Sequence, residues 1–306
     1  MDLTHHRGEL DLAVILNMKP TSWSLHRALP PTPPDEEESG NVFDAGHAES
    51  LQCTILGSAQ YRIAVIGVGY VGLHLVETFA QKYSVVAFDL SAKRLESLQD
   101  RFSSFPDILS TTDARQLRNS THFLIAVPTT LRHDRSIDLS YLKAAIKTVA
   151  DNAGSGATII IESSVAVGTT RALLEPLMQL RNWKGGMSPE RVDPGRTEPP
   201  AASIPKVISG LDDITPGSLE SIHEIYSQVF HNVLRVSKPE VAEMMKLYEN
   251  CQRMICIAYA NELADACTPH DIDPYEVCNA AATKPFGYIP FSPGLGVGGP
   301  CIPCNP

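Results

Sequence analysis

The chain has 306 residues, of which 43% are hydrophobic and 20% charged; that is apolar matter enough for about two packed domains and too much for global disorder. A formal net charge of −10 excludes a protein that holds nucleic acid or an anionic membrane through a general excess of basic charge. No apolar run nears the roughly 18 residues of a membrane-spanning helix, and seven cysteines, an odd number without small-scaffold spacing, read as reduced thiols in a cytosolic setting.

Residues 1–58 differ from the rest. Met1 to Pro30 carries no clean signal-peptide core. Pro30, Pro31, Pro33 and Pro34 then run into Asp35, Glu36, Glu37 and Glu38, and the segment holds nine acidic against three basic residues. Proline removes donors and like charges repel, so this stretch reads as a disordered, solvated extension.

From Tyr61 short apolar strands alternate with helices. Strands are expected at 62–66, 84–88, 123–127 and 158–161, with helices at 71–82, 138–150 and 170–180. Continuous apolar strands joined by helices predict a parallel sheet covered on both faces, an α/β fold of the dinucleotide-binding kind over 59–236. Residues 237–306 form a second, helical unit. Pro239 to Cys267 reads as one long helix, with Ser237 as N-cap and Pro239 at its first position. Its apolar residues (Val241, Met244, Met245, Leu247, Tyr248, Met254, Ile255, Ile257) predict a helix buried within the chain or against a partner subunit. A Gly/Pro-rich tail, Pro285 to Pro306, follows.

Gly67-Val68-Gly69-Tyr70-Val71-Gly72 lies between a predicted strand and a predicted helix. Gly67 suits the tight turn, Gly69 a close backbone approach to a pyrophosphate, and Gly72 helix–strand packing; the helix N-terminus offers unpaired N–H groups to phosphate. Asp89 ends the second strand, about 20 residues past the middle glycine, where a carboxylate accepts ribose hydroxyls and repels a 2′-phosphate, which favours NAD over NADP. The loops at Thr129-Thr130, Glu162-Ser163-Ser164 and Glu190-Arg191 fall at strand ends, where such a fold binds ligands; taken alone, each is equally a polar turn. Lys246 and Asn250 share one face of the long helix, the lysine pointing either to solvent or into a polar cavity. Cys301 follows a glycine-rich turn and pairs with Cys304 as Cys-x-x-Cys. Without a second such pair or a His pair at ligand spacing, no metal site is expected.

Taken together, IGVGYVGL, AVPTTL, SPERVDPG, IPKVISG, EMMKLYEN, ATKPFGYIPFSPG and GVGGPCIP resemble the UDP-glucose/GDP-mannose dehydrogenase family, nearest its UDP-N-acetyl-hexosamine branch. The resemblance runs from Arg62 to Pro306. It implies a Rossmann domain, a central domain built on a long dimerising helix, and a third, nucleotide-sugar-binding domain. It implies a cytoplasmic homodimer that serves polysaccharide biosynthesis by oxidising C6 of a UDP-sugar twice, with two NAD, through a cysteine thiohemiacetal and thioester. Cys301 then matches the nucleophile, Lys246 the lysine that stabilises oxyanion charge, Asn250 its partner, and Glu190 the residue for water positioning and acid–base work. Thr129 and Glu162 match positions near the nicotinamide, and Arg94 joins the glycine turn and Asp89 on the cofactor side. Arg191, Lys284 and Gly298 are placed with the substrate.

Three departures bear on these expectations. Pro300 stands where the branch has His or Ser, and Asn305 where it has Asp. The sequence also ends five residues after Cys301, so the rest of the central region and the third domain are expected to be missing. Two alternatives stay open: an NAD-binding remnant of the family with little or no activity, and a β-hydroxyacid dehydrogenase, which would use the lysine and asparagine without Cys301.

Overall fold

The computed structural model describes residues 61–134, 136–192 and 200–296. The extension read at 1–58, and Gly298, Pro300, Cys301, Cys304 and Asn305, lie outside the described residues.

The chain opens with β1 (Arg62–Ile66), α1 (Tyr70–Phe79) and β2 (Ser84–Phe88), followed by two short helices, α2 (Ala92–Glu96) and α3 (Gln99–Phe102). Next come β3 (Ile108–Thr111), β4 (His122–Ile125), the two-residue strands β5 (Thr130–Leu131) and β6 (Ile137–Asp138), and α4 (Ser140–Asn152). β7 (Thr158–Ile161), α5 (Thr169–Arg181), β8 (Lys184–Met187), β9 (Lys206–Gly210), α6 (Ser218–Tyr226) and β10 (Val233–Arg235) complete the first unit. α7 (Pro239–Cys267) and α8 (Pro274–Ala281) follow.

The main sheet has the order β10-β9-β8-β7-β4-β1-β2-β3, parallel throughout except where β8 meets β9 antiparallel. β5 and β6 form a separate small hairpin. Residues alternate between faces along each strand, so two cores form. Ala64, Ile66, Phe123, Ile125, Ile159 and Ile161 pack under α4 and α5; Ile63, Val65, Val85, Leu124 and Ile160 pack under α1 and α6.

The four expected strands are present, with the third at His122–Ile125. β3, β8, β9 and β10 are additional. β8, Lys-Gly-Gly-Met, lacks the β-branched and aromatic residues that advertise a strand. Boundaries moved where turns intervene. α1 ends at Phe79 because the N–H groups of Lys82 and Tyr83 turn back to the Phe79 carbonyl, at 3.0 and 2.9 Å. α4 begins at Ser140 because the Asp138 carboxylate accepts the Ser140 N–H at 2.9 Å and so sits outside the helix. α7 keeps its expected limits, but Ser237 is not its cap. Lys238 occupies that position with extended backbone and no side-chain cap bond, and proline at the first helical position has already removed one donor that a cap would satisfy.

Of the two arrangements expected for the apolar face of α7, burial within the chain is not the one observed. Val241, Met244, Tyr248, Ile255 and Tyr259 are exposed, whereas Ala242, Glu243, Lys246 and Asn250 are buried, on the face that packs over β8 and β9. Within the described chain, the apolar stripe is therefore uncovered and the polar stripe is inside.

Candidate active site

The first half of the site is the cleft at the carboxyl ends of β1, β2 and β4. Gly67 has φ +88°, a conformation that L side chains rarely adopt. A Cβ on Gly72 would meet the Gly67 carbonyl oxygen at 1.8 Å, while one on Gly69 would meet nothing within 4 Å. The turn is thus closed toward the sheet and open toward the cleft. The Asp89 carboxylate accepts the N–H groups of Val68, at 2.8 Å, and Ser91, at 2.9 Å, tying the end of β2 to the glycine turn. Arg94 donates to the carbonyls of Val68, at 2.8 Å, and Gly69, at 3.4 Å. A cavity of about 390 Å³ opens here, lined by Gly67, Gly69, Asp89, Leu90, Val127 and Tyr141 among others. Tyr70 and Val71 start α1, where N–H groups have no partner inside the helix. An open glycine turn, a helix N-terminus and a carboxylate one strand away fit a dinucleotide: phosphate over Gly69 and ribose at Asp89.

The second half is a buried ionic cluster that spacing did not reveal. Lys206, at the start of β9, is 3% exposed; its ammonium lies 2.6 Å from Glu162 and 3.3 Å from Glu190. The other Glu162 oxygen accepts the Tyr226 hydroxyl. The second Glu190 oxygen accepts the N–H groups of Arg191 and Val192, both at 2.7 Å. Burial pushes the Glu162 carboxyl up to about 7, against the pull of Lys206. Burial also opposes ionisation of Glu190, but Lys206 and the two backbone donors hold its carboxyl below the usual range. Burial disfavours the Lys206 cation as well, yet the two carboxylates hold its pKa above the ordinary lysine value.

Register explains the meeting. β8 and β9 pair as Gly186↔Gly210 and Met187↔Ser209; continued, that register sets residue 190 opposite residue 206. Reversal of β9 brings the start of a strand to the rim where β7 and β8 end. Arg191 then bridges to the long helix, donating to Glu249 at 2.6 Å and to the Pro205 carbonyl at 2.8 Å. One residue further along α7, Asn250 is buried with no partner for its Nδ2 among the described residues. Lys246, one turn back, is 9% exposed.

The other expected site residues fall as follows. Thr129 is buried and donates its hydroxyl to the Ser164 carbonyl at 2.8 Å, joining the loops after β4 and β7. Glu162, expected beside the nicotinamide, is fully buried with both oxygens engaged, so it lies beneath the rim and lines no open space. Lys284 lies on the exposed chain beyond α8, its ammonium 5.4 Å from the centre of the Phe286 ring. Lys206 and Tyr226 were missed; the one available signal was a lysine opening an otherwise apolar strand.

The family model described as UDP-glucose/GDP-mannose dehydrogenase family, NAD binding domain, matches residues 61–230, and that of the central domain matches residues 240–306. Protein CapL of Staphylococcus aureus is 34% identical over 262 residues, and a UDP-N-acetyl-D-glucosamine 6-dehydrogenase of Pseudomonas aeruginosa is 35% identical over 264. Each match covers 80% of this chain and 61% of the relative. The solved UDP-D-ManNAc dehydrogenase of Pyrococcus horikoshii superposes with a TM-score of 0.73 at 31% identity, over 80% of this chain and 62% of that one.

Proposed function

The chain belongs to the UDP-glucose/GDP-mannose dehydrogenase family, and from that premise we propose that it forms the NAD-binding and central portion of an enzyme oxidising the C6 hydroxymethyl of a UDP-N-acetylhexosamine, or UDP-glucose, to the uronic acid. The names of the Pseudomonas and Pyrococcus proteins support the N-acetylhexosamine class. The observation that carries the reading is the Arg191–Glu249 bridge, which fastens the rim of a dinucleotide cleft to the helix face bearing buried Lys246 and Asn250.

In this reading Gly67 to Gly72, with Val68, Tyr70 and Val71, cradle the pyrophosphate, Asp89 takes the ribose, and Arg94 braces the turn. NAD, when bound there, accepts hydride, two equivalents for each uronate formed. Lys246 steadies negative charge on the C6 oxygen in a site sheltered from water, and Asn250 orients that oxygen through its Nδ2, which has no partner among the described residues. Arg191, Lys284 and Gly298 border the substrate, and Thr129 fixes the loop at the reacting end. The Cys301 thiolate adds to the C6 aldehyde as a thiohemiacetal; the thioester that follows is cleaved by water, which returns the thiol. The uncovered stripe on α7 pairs two copies in a homodimer, working in the cytoplasm.

Calorimetry with NAD and NADP, followed by an NADH assay over a panel of UDP-hexoses and UDP-N-acetylhexosamines, tests this. NAD should bind in preference to NADP, and two NADH should appear per sugar consumed. Failure of a folded sample to bind NAD would overturn the cofactor assignment. One NADH per substrate, or full turnover by Cys301→Ser, would overturn the cysteine route.

A further inference from the structure

We propose that Asn261 is a positioning residue that pins the Gly/Pro-rich strap at Gly294 to α7, on the helix face that carries Lys246 and Asn250, and so delivers Cys301 to that face. The inference rests on the reading that Cys301 is the nucleophile, and deepens it by naming what aims the thiol.

Among the described residues the chain beyond α8 forms neither helix nor strand, so no backbone ladder places it. Phe286, Tyr288, Ile289 and Phe291 lie against the distal part of α7 and, with Ile255 and Tyr259, line a cavity of about 660 Å³. Apolar contact keeps the strap near the helix but is non-directional and sets no register. A polar contact does. The Asn261 Oδ1 accepts the Gly294 N–H at 2.9 Å, and among the described residues this is the one backbone N–H of 285–296 with a partner. The Tyr275 hydroxyl on α8 donates to the adjacent Pro293 carbonyl at 3.5 Å, a longer and weaker bond. The Asn261 Nδ2 is buried, so the oxygen is the end of the amide that meets the strap. Asn261 follows Asn250 by eleven residues, about three whole turns, so the two project from one side of α7.

Reach completes the case. From Gly294 to Cys301 there are seven residues, which span at most about 24 Å. Asn250 lies about 17 Å and Lys246 about 22 Å back along the helix axis from Asn261. A strap pinned at Gly294 therefore has chain enough to bring the thiol to either side chain, and little to spare. Released, the thiol is tethered only at the end of α8, Ala281, twenty residues away. Local concentration falls as about the −3/2 power of tether length, so release dilutes the thiol at that face by about fivefold.

A disulfide trap on the whole 306-residue chain tests this without requiring turnover. With Asn250→Cys as the trap, mild oxidation by diamide followed by peptide mapping reads the rate at which position 250 is joined to Cys301. Adding Asn261→Ala should slow that rate by about three- to fivefold, the dilution expected on release. Adding Asn261→Asp instead keeps an acceptor for the Gly294 N–H and should hold the rate within about twofold. NAD affinity should stay within about twofold throughout, since Asn261 shares no partner with the glycine turn or Asp89. A trap that never joins position 250 to Cys301, a rate unchanged by Asn261→Ala, or a rate equally low with Asn261→Asp would overturn the proposal. So would a matching loss of NAD affinity, the mark of general destabilisation. Should the alanine variant fail to fold, Gly294→Pro removes the donor from the strap side. Gly294 has no positive φ, and an added Cβ would meet nothing within 4 Å. That variant should slow the trap alike, and no slowing would overturn the proposal. With Asn250 restored and UDP-N-acetylhexosamine as substrate, Asn261→Ala should lower kcat by a similar factor and leave the KM for NAD unchanged; a raised KM for NAD with kcat intact would overturn the proposal. A wild-type chain that forms no NADH counts against the proposed function alone, and the trap rates still decide the role of Asn261.

Discussion

In the proposed function Asp89 does two tasks with one carboxylate, and they can be separated. Its oxygens hold the N–H groups of Val68 and Ser91, and its charge faces the ribose position. Asp89→Asn keeps an acceptor for the turn but loses the charge, so it should relax the bias against NADP while NAD binding falls modestly. Asp89→Ala loses both and should weaken NAD by about tenfold or more. Fluorescence titration with the two dinucleotides checks this; equal behaviour of the two variants would refute the double role. His122 gives a pH dependence. It is 3% exposed, with Nδ1 2.9 Å from Thr121 and Nε2 3.2 Å from Ser221, and burial pushes its pKa down from 6.5 to about 4. Between those values the unfolded chain binds the proton and the native chain does not. The stabilisation is therefore complete above pH 6.5 and is lost as pH falls toward 4, by about 3 kcal/mol at most. Urea unfolding at pH 7.5 and 5 should show the drop, and His122→Gln should flatten part of it.

At the scale of elements, the ends of helices decide how the two units meet. α5 begins after Gly168 with no side-chain cap of its own. Its first N–H groups are instead satisfied from α7: Glu243 accepts those of Gly168, at 2.6 Å, and Thr170, at 2.8 Å. Arg171 adds bonds to Glu240 and Asp213, both at 2.6 Å. Glu243→Ala should strand two buried donors and cost about 2–3 kcal/mol, a fall in Tm of roughly 4–10 °C for a domain of this size, while Glu240→Ala costs less because its partner Arg171 keeps Asp213. Calorimetry of the two variants measures the difference. The sequence announced the existence of these elements better than their joins. The glycine turn and Asp89 were readable because their spacing is local, and α7 because proline starts it and 28 residues without glycine or proline follow. Lys206 was not, because its partners Glu162 and Glu190 stand 44 and 16 residues away and only a reversed strand brings them together. The buried face of α7 was hidden for a related reason: its apolar periodicity marks a stripe that this chain leaves bare.

For the molecule as a whole, the proposed function gives that stripe the task of association. Met244, Tyr248, Ile255 and Tyr259 are each more than half exposed along one side of α7, a patch of the kind that marks an interface. Tyr248→Glu together with Ile255→Lys should shift the protein toward monomer in sedimentation velocity with NAD affinity preserved; an unchanged oligomer would place the contact elsewhere. The same helix has a mechanical side. The ties that Glu240, Glu243 and Glu249 make to the sheet unit fall within its first eleven residues. The eighteen that remain extend about 27 Å at 1.5 Å per residue and carry α8 at their tip. α7 is therefore a beam clamped at one end, and a tilt of about 5° at the clamp displaces the tip by roughly 2 Å over that length. Small substitutions around Glu243 or Arg191 should register most strongly at the far end of the lever, around Cys267 and α8, rather than where they are made.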